Sequence, residues 1–263
     1  MRAFVLVGCA LMLSACQAPT AVRDIRGATS AQASPKQDTS RQTASTASDI
    51  NIPRIDCGAT LSPADELTRN VVSERVREGS YYAALAEVQS LPASVPTVAV
   101  LRADILRRLK SPEARQWYLA MRDRCVSADA DHGLGLIAAD AGELALAHRY
   151  LQQAAKSRPN DANFRNDLGF ISMLLSNDKE AEFELRTAFE LAPEDNRPGF
   201  NLMVLSLLKG DRADWWFWRD RLAPTENQRL DLLKSCREMM RQRQAATPAV
   251  TGQQQNCPIN PLS

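Results

Sequence analysis

The second half of the sequence repeats itself with a period of 34 residues. Five positions recur with the same residue one period later: Leu134, Gly135, Ala147, Ala154 and Pro159 return as Leu168, Gly169, Ala181, Ala188 and Pro193. The period continues more weakly beyond them, since Leu202 lies 34 residues after Leu168. A fixed period of this length indicates a protein of similar units, which stack and bury their apolar faces on one another.

The repeating units have a helical pattern. From residue 61 onward the sequence is a succession of amphipathic stretches of about a dozen residues, and no alternating strand pattern occurs. Glycine and proline interrupt these stretches, and proline cannot continue a helix. The interruptions fall at Gly79, Pro92, Pro112, Gly142, Pro159, Pro193, Gly210 and Pro224.

The period and the places of the small residues resemble the tetratricopeptide repeat. Gly135 and Gly169 would let the second helix of a pair approach the first, and the repeated alanines would lie where helices cross closely. The resemblance is close for residues 128–195, partial for 196–224 and faint upstream; residues 94–127 depart from the spacing. It implies an all-α fold, a tetratricopeptide-repeat right-handed superhelix (α-solenoid) with a C-terminal capping helix.

A cluster of tryptophans, "DWWFWRD", falls in the second helix of the last repeat. Because a solenoid must close its open end, we expect Trp215 and Trp218 to pack under the next helix, "ENQRLDLLKSCREMMRQ", with Trp216 more exposed. The alternative is a membrane-surface or ligand-stacking role for the cluster. The predicted apolar stripe of the capping helix is Leu230, Leu233 and Met240.

The N-terminus has the layout of a bacterial secretion signal. Arg2 precedes an apolar run from Ala3 to Ala15, and these thirteen residues are fewer than the roughly twenty that a membrane-spanning helix needs. The sequence Leu13-Ser14-Ala15-Cys16 resembles the lipobox, in which the cysteine becomes the mature N-terminus and carries lipid. We expect a lipoprotein signal peptide over residues 1–15 and lipid on Cys16. The alternative is an ordinary signal peptide with an incidental cysteine.

The residues after Cys16 bear on where the protein is held. In the Gram-negative sorting pattern, aspartate after the lipidated cysteine retains a lipoprotein at the inner membrane; here the residue is Gln17. We therefore expect a lipid anchor in the outer membrane, on its periplasmic face. Residues 16–56 are polar and poor in aromatics, so we expect a lipidated flexible tether that spans about 35 Å on average.

Four cysteines remain once Cys9 leaves with the signal and Cys16 takes lipid. An even number in an oxidising compartment indicates two disulfide bonds, and four cysteines allow three pairings. We favour Cys236 with Cys257 and Cys57 with Cys125; the alternative is free buried thiols. We expect no metal site, because no two of these cysteines are close in sequence and no histidine is near one.

Charge and motifs give no indication of an enzyme or a nucleic-acid-binding protein. The net charge is +1, with no basic face that could follow phosphates. The two histidines, His132 and His148, accompany no nucleophile elbow, zinc motif or phosphate-binding loop. We expect no catalytic residues, no cofactor and no small-molecule substrate.

The resemblance implies a concave groove lined by the first helix of each pair, which holds a peptide or helix of a partner protein. Its matching positions form a mixed lining with an apolar floor, suited to an amphipathic helix. The alternatives are that the chain's own N-terminal or C-terminal segment fills the groove, or that these side chains belong to the core. The predicted groove residues are His132, Leu136, Ala139, Asn163, Asn166, Phe170, Met173, Phe200, Val204 and Leu207.

The long polar tether, the repeat and a cysteine-containing helix after the last repeat resemble the TadD-like lipoproteins of the tight-adherence (Flp) pilus. That resemblance implies an assembly factor, or pilotin, for the secretin of a type IVb pilus. The alternatives are a type IV pilus pilotin of the PilF/PilW type and an adaptor for periplasmic peptidoglycan enzymes. We expect a repeat domain over residues 57–244 and a C-terminal tail over 245–263.

Overall fold

The computed structural model describes residues 51–246 and 257–260, and within these ranges the chain forms eleven α-helices. Ten of them are of roughly similar length and the last is longer. They are α1 (Pro63–Arg77), α2 (Tyr81–Val88), α3 (Pro96–Arg108), α4 (Glu113–Met121), α5 (Ser127–Asp140), α6 (Leu144–Ser157), α7 (Ala162–Leu174), α8 (Asp178–Leu191), α9 (Asn196–Lys209), α10 (Arg212–Leu222) and α11 (Glu226–Ala246).

Several helices begin at a side chain that accepts a hydrogen bond from the first turn. Asp161 accepts from the backbone N–H groups of Asn163 and Phe164, and Asp195, one period later, accepts from that of Arg197. Ser62 and Asp211 begin α1 and α10 in the same way. Each such cap contributes about 1 kcal/mol, so the aspartates fix where the first helix of each later repeat begins.

The first ten helices form five pairs, each joined by a short turn that contains a residue in the left-handed region. Three of these residues are one period apart in sequence, and the other two occupy the corresponding turns of the α1/α2 and α3/α4 pairs. The five are Gly79, Lys110, Gly142, Ser176 and Gly210, with φ values of 57–80°. The α3/α4 pair therefore follows the repeat architecture although residues 94–127 depart from the 34-residue spacing.

The small residues of the repeat lie where the two helices of a pair approach most closely, as predicted. A Cβ atom at Gly135 would lie 2.7 Å from Cγ of Leu151 in α6, and one at Gly169 would lie 2.7 Å from Cγ of Leu185 in α8. A larger residue at either position would push the helices apart. The repeated alanines at these crossings are fully buried: Ala147, Ala154, Ala181 and Ala188.

The pairs stack in chain order. The second helix of one pair packs against the first helix of the next, as α6 does against α7 and α8 does against α9. First helices also lie side by side, with α3 against α5 and α7 against α9. This arrangement is a solenoid whose one face is formed by the first helices alone, and that face is the groove side of such a stack.

The last helix does not continue the stack. If α11 were the first helix of a sixth pair, it would pack chiefly on α10. Instead, it lies across α9 and reaches α7. The predicted capping helix is therefore present, but it covers the face formed by the first helices. The predicted stripe is corrected in part: Leu230 is 37% exposed, whereas Leu233 and Met240 are half-buried and Met240 packs against the core. The fully buried side chains of α11 within the described part are Leu232, Cys236 and Met239. Its inward face is set by α9 and by the disulfide of Cys236.

The tryptophan cluster has the predicted exposure but not the predicted partner, because α11 lies on α9 and α7 and not over α10. Trp215 and Trp218 are buried, while Trp216 is 41% exposed and lies under the guanidinium of Arg219. Trp218 packs edge-on against Phe189 of α8, with ring centroids 5.0 Å apart, and so faces the preceding repeat. The cluster thereby joins the last two pairs.

Both predicted disulfide bonds are present. Cys57 bonds Cys125, which ties the segment before α1 to the turn between α4 and α5. Cys236 bonds Cys257, which ties the C-terminal segment to the middle of α11. A bridge that closes a loop of 21 residues contributes roughly 3 kcal/mol in the chain-entropy model.

The packed part of the chain extends beyond the predicted limits of the repeat domain, 57–244. Ile55 is buried against α3 and α4, so the last residues of the predicted tether join the core. Ile259 is buried with the residues around α9 and α11, so part of the predicted tail does too. The sequence did not indicate this because single apolar residues in polar segments carry no periodicity.

The predicted signal peptide (1–15), Cys16 and most of the predicted tether lie outside the described residues, as do residues 247–256 and 261–263 of the predicted tail. Within the described ranges, no helix combines the length and the apolar character needed to cross a membrane.

Candidate functional site

An open groove of about 630 Å³ runs along the face formed by the first helices. It takes side chains from α1, α3, α5 and α7 and from the start of α9, together with Tyr118 of α4. Its apolar floor is formed by the half-buried Val100, Leu101 and Leu136, beside the buried Phe164. The groove therefore occupies the N-terminal half of the concave face.

The predicted groove residues fall into three groups: those that line the open groove, those that lie outside it with some exposure, and those that are buried. His132, Leu136 and Asn163 line the open groove. Ala139 and Phe200 are half-buried outside it, and Phe170 is 38% exposed. The remaining four are buried, which corrects their prediction as accessible lining: Asn166, Met173, Val204 and Leu207.

Met173, Val204 and Leu207 are buried because α11 covers them. Corresponding positions in successive repeats become more buried toward the C-terminus: Ala139 is half-buried, whereas Met173 and Leu207 are 0% exposed. These positions face the groove, and α11 lies across α9 and the end of α7 at that place. Of the predicted alternatives, the chain's own C-terminal segment therefore fills half of the groove.

Asn166 is buried for a different reason. Its side-chain amide donates to Asp167 at 3.1 Å, and its oxygen accepts from Asn201 of α9 at 3.0 Å. Both hydrogen-bonding groups of Asn166 are thus occupied, the amide within α7 and the oxygen by α9. Asn163, in contrast, is exposed; its oxygen accepts from Arg197 at 2.7 Å, and its amide group can donate to a bound backbone.

A packed cluster around His132 forms the middle of the groove. Its Nε2 lies 2.8 Å from Oδ2 of Asp167, and its ring stacks on Phe164 with centroids 4.5 Å apart. Arg158 lies over the other side of the cluster, 4.9 Å from the centroid of Phe164. Packing and hydrogen bonds therefore hold these side chains before any ligand binds.

The wall toward α5 and α7 is acidic. Asp129 accepts two hydrogen bonds from Arg158, at 2.6 and 3.0 Å, and Asp161 accepts one at 3.3 Å. The hydrogen bond to Asp129 raises the pKa of Arg158, so this guanidinium stays charged. Asp167 faces the groove beside them.

The wall toward α1 and α3 is basic. Arg107 and Arg108 donate to Asp104 at 2.7 and 2.8 Å. Arg69 of α1, which is paired with Glu66, lines the same groove. Burial raises the pKa of Asp104, but the two guanidinium groups outweigh it and the net pKa is lowered. The carboxylate of Asp104 is ionised at neutral pH, and cationic charge predominates on this wall.

Outside the groove, His148 of α6 and Glu180 of α8 form a similar pair at 2.7 Å. Burial raises the pKa of Glu180, but hydrogen bonds from His148, Ser172 and Asn177 outweigh it and lower the pKa. This pair joins two successive repeats. The described ranges contain no cluster of three or more histidine, cysteine, aspartate or glutamate residues that could hold a metal ion.

Comparison with known proteins bears on the fold. No protein-family model matches the chain. It is 42% identical over 160 residues to the TPR repeat-containing protein PA4299 of Pseudomonas aeruginosa; the match covers 60% of this chain and 65% of that protein. The chain thus spans just under two thirds of the length of this curated relative.

Two solved structures are similar in fold. PilF of Pseudomonas aeruginosa aligns with a TM-score of 0.53 and 14% identity over 71% of this chain and 93% of its own. PilW, described as a widely conserved type IV pilus biogenesis factor, aligns with a TM-score of 0.52 and 18% identity, over 73% of this chain and 97% of its own. The chain has a tetratricopeptide-repeat fold.

Sequence analysis missed the part of the tetratricopeptide groove that α1 and α3 supply. Arg69, Thr97, Val100 and Arg108 line it, yet they lie upstream of the regular repeats. Because residues 94–127 lack the 34-residue spacing, no repeat position could be carried over to them. The available signal was helical periodicity: Thr97, Asp104 and Arg108 are spaced to share one face of α3.

Proposed function

We propose that this protein is an assembly factor that holds a segment of another protein in the open groove. The observation that carries the proposal is the groove itself, which combines an apolar floor with pre-positioned polar groups and is not covered by α11. Such a lining suits an amphipathic peptide or helix, whose apolar side chains meet Leu101 and Leu136 while its backbone meets Asn163.

The proposed partner is the secretin of a tight-adherence (Flp) pilus, for which the protein acts as a pilotin. The TadD-like layout of lipobox, tether, repeats and cysteine-containing helix supports this choice. The fold shared with PilF and PilW is consistent with a role in pilus biogenesis. The alternatives are a type IV pilus pilotin of the PilF/PilW type and an adaptor for peptidoglycan enzymes.

The proposed location is the periplasmic face of the outer membrane, with lipid on Cys16 and the tether supplying reach. The lipobox and Gln17 support it. Cells fed a clickable palmitate analogue should label the wild-type chain and not the Cys16→Ser variant. Equal labelling of both, or none of the wild type, would contradict a lipid anchor on Cys16. Fractionation of the labelled membranes then tests the outer-membrane assignment.

A matched pair of substitutions tests the groove. Leu136→Glu places a charge on the apolar floor, whereas Phe183→Glu replaces an exposed residue of α8, a helix that contributes nothing to the groove lining. We expect Leu136→Glu to reduce capture of the secretin from pilus-forming cells at least tenfold, because the partner's apolar side chains lose their floor. Phe183→Glu should capture as much as the wild type.

Circular dichroism of both variants serves as the folding control in this pull-down. Undiminished capture by a folded Leu136→Glu chain would contradict the groove as the binding site. Capture of peptidoglycan enzymes in place of the secretin would favour the adaptor alternative.

A further inference from the structure

α11, which covers the C-terminal half of the groove, contacts the repeats through one side of the helix. Leu232, Cys236 and Met239 are buried, and their spacings of four and three residues place them on one side of α11. The residues between them on the opposite side, such as Lys234 and Arg237, are exposed. α11 is therefore an amphipathic helix lying in a groove, which is the recognition mode expected of a partner.

Arg243 fastens the C-terminal part of α11 to the repeats. Arg243 donates from Nε to the backbone oxygen of Met173 at 2.6 Å and from Nη2 to Oδ1 of Asp178 at 2.5 Å. The backbone oxygen is at the C-terminal end of α7, where carbonyl groups lack helical partners and attract cations. The guanidinium thus recognises the end of a first helix.

The chain that leads from α10 into α11 is non-helical. α10 ends at Ala223, which has a φ of 45°, and Pro224 follows. Beyond α11, Cys257 is bonded to Cys236, and Pro258 lies within 4 Å of a Cβ placed at Gly210. The disulfide joins α11 to its own C-terminal segment, so no covalent bond within the described ranges fastens α11 directly to α7 or α9.

The surface beneath α11 has the position of a binding surface. Met173 and Leu207 lie one and two repeats after Ala139, and Val204 lies two repeats after Leu136. Ala139 and Leu136 are only half-buried, whereas their counterparts under α11 are buried. If α11 left, this apolar surface would be exposed to water, which is unfavourable. Displacement of α11 therefore requires another helix whose apolar side covers the same surface. An amphipathic helix with the α11 pattern has such a side.

We propose that the concave surface of α7 and α9 is a second binding surface, that α11 is its resident occupant, and that a partner helix takes this surface by displacing α11. The partner helix carries apolar side chains at the spacings of Leu232, Cys236 and Met239 and an arginine one turn beyond them. The proposal is separate from the open groove and does not require the partner to be a secretin.

A synthetic peptide of residues 226–246 with Cys236→Val is the probe, and the same peptide with Met239→Glu is its control. Both are titrated into the full chain and into two variants that loosen α11: Arg243→Ala and the double variant Cys236→Ala, Cys257→Ala. In the wild type, α11 covers the surface in most molecules, so only a small fraction of the protein can bind the probe and the apparent affinity is low. We expect both variants to bind the probe at least tenfold more tightly than the wild type does.

Hydrogen exchange on the mixtures identifies where the probe binds. Added probe should expose the amides of the chain's own α11 to exchange while the amides of α7 and α9 stay protected. The control peptide should change neither.

The proposal is overturned if the probe binds neither folded variant, or if the control peptide binds as well as the probe. Arg243→Ala leaves both disulfide bonds in place, so a misfolded disulfide variant leaves the comparison intact. Because the assay contains no secretin, its result is independent of the pull-down with Leu136→Glu: either can fail while the other succeeds.

Discussion

At the scale of single residues, the fold depends on positions where the backbone or the space between helices allows little choice. Gly135 and Gly169 were recognisable from sequence because a small residue recurs at the same repeat position. Lys110 and Ser176 were not, although both occupy the left-handed turn position that glycine holds in the other pairs. A lysine or serine carries no signal for a positive φ, so only the structure shows the shared turn.

Ser176 provides a test of that turn. Its φ of 61° is disfavoured for a residue with a Cβ atom, and glycine adopts it freely. We expect Ser176→Gly to raise the free energy of unfolding by roughly 0.5–1 kcal/mol, measured by urea denaturation. Ser235→Gly, at an exposed helical position of α11, is the control and should lower it by a similar amount. A loss of stability in Ser176→Gly would contradict the strain at this turn.

At the scale of helices, sequence predicted the regular repeats well and the last helix poorly. Residues 128–224 contain three helix pairs at the predicted places, because the small residues that fix their packing recur with the period. For α11 the pattern showed an amphipathic helix but not which surface it meets. Helical periodicity alone allowed a stripe through Leu230 and Leu233; the contact with α9 selects Leu232, Cys236 and Met239.

Charged side chains also join neighbouring helices, and Glu182 of α8 gives a pH-dependent example. It accepts from Lys209 of α9 at 2.7 Å and from Arg186 at 3.1 Å. The hydrogen bond from Lys209 is the main cause that lowers the pKa of Glu182 below its ordinary value of 4.5. Since the folded state lowers this pKa, the stabilisation is present above that value and is lost as the pH falls below it.

Glu182→Gln should therefore be less stable than the wild type at pH 7, and the difference should shrink as the pH is lowered from about 5 to 3. Urea denaturation at a series of pH values measures it. Glu190→Gln is the matched control, since Glu190 is exposed and has no ion pair within the described ranges. A difference that stays constant over this pH range would contradict the assigned role of Glu182.

At the scale of the whole molecule, one half of the concave face is open and the other half is covered. The N-terminal half is an open groove between a basic wall on α1 and α3 and an acidic wall on α5 and α7. The C-terminal half is covered by α11. Repeat positions predicted which residues face the groove, including His132, Leu136 and Asn163. They could not predict coverage, because the covering helix lies outside the repeats and its docking depends on tertiary packing.

The proposed role follows from this division, since only the open half can accept a partner without a change in the chain itself. In the proposed pilotin role the groove holds a segment of the client, and the proposed lipid on Cys16 keeps that segment at the membrane. Within this account, α7 and α9 bind a partner only after α11 moves, so a partner of the open half should bind whether or not α11 is loosened.

Site-specific photo-crosslinking in living cells tests the central claim most directly. A photoreactive phenylalanine analogue is placed at Leu136 in the open groove or at Phe183, an exposed residue of α8 that is not part of the groove lining. The account predicts a covalent adduct with another polypeptide from position 136 and none from position 183. No adduct at 136, or equal adducts at both positions, would contradict binding in the open groove.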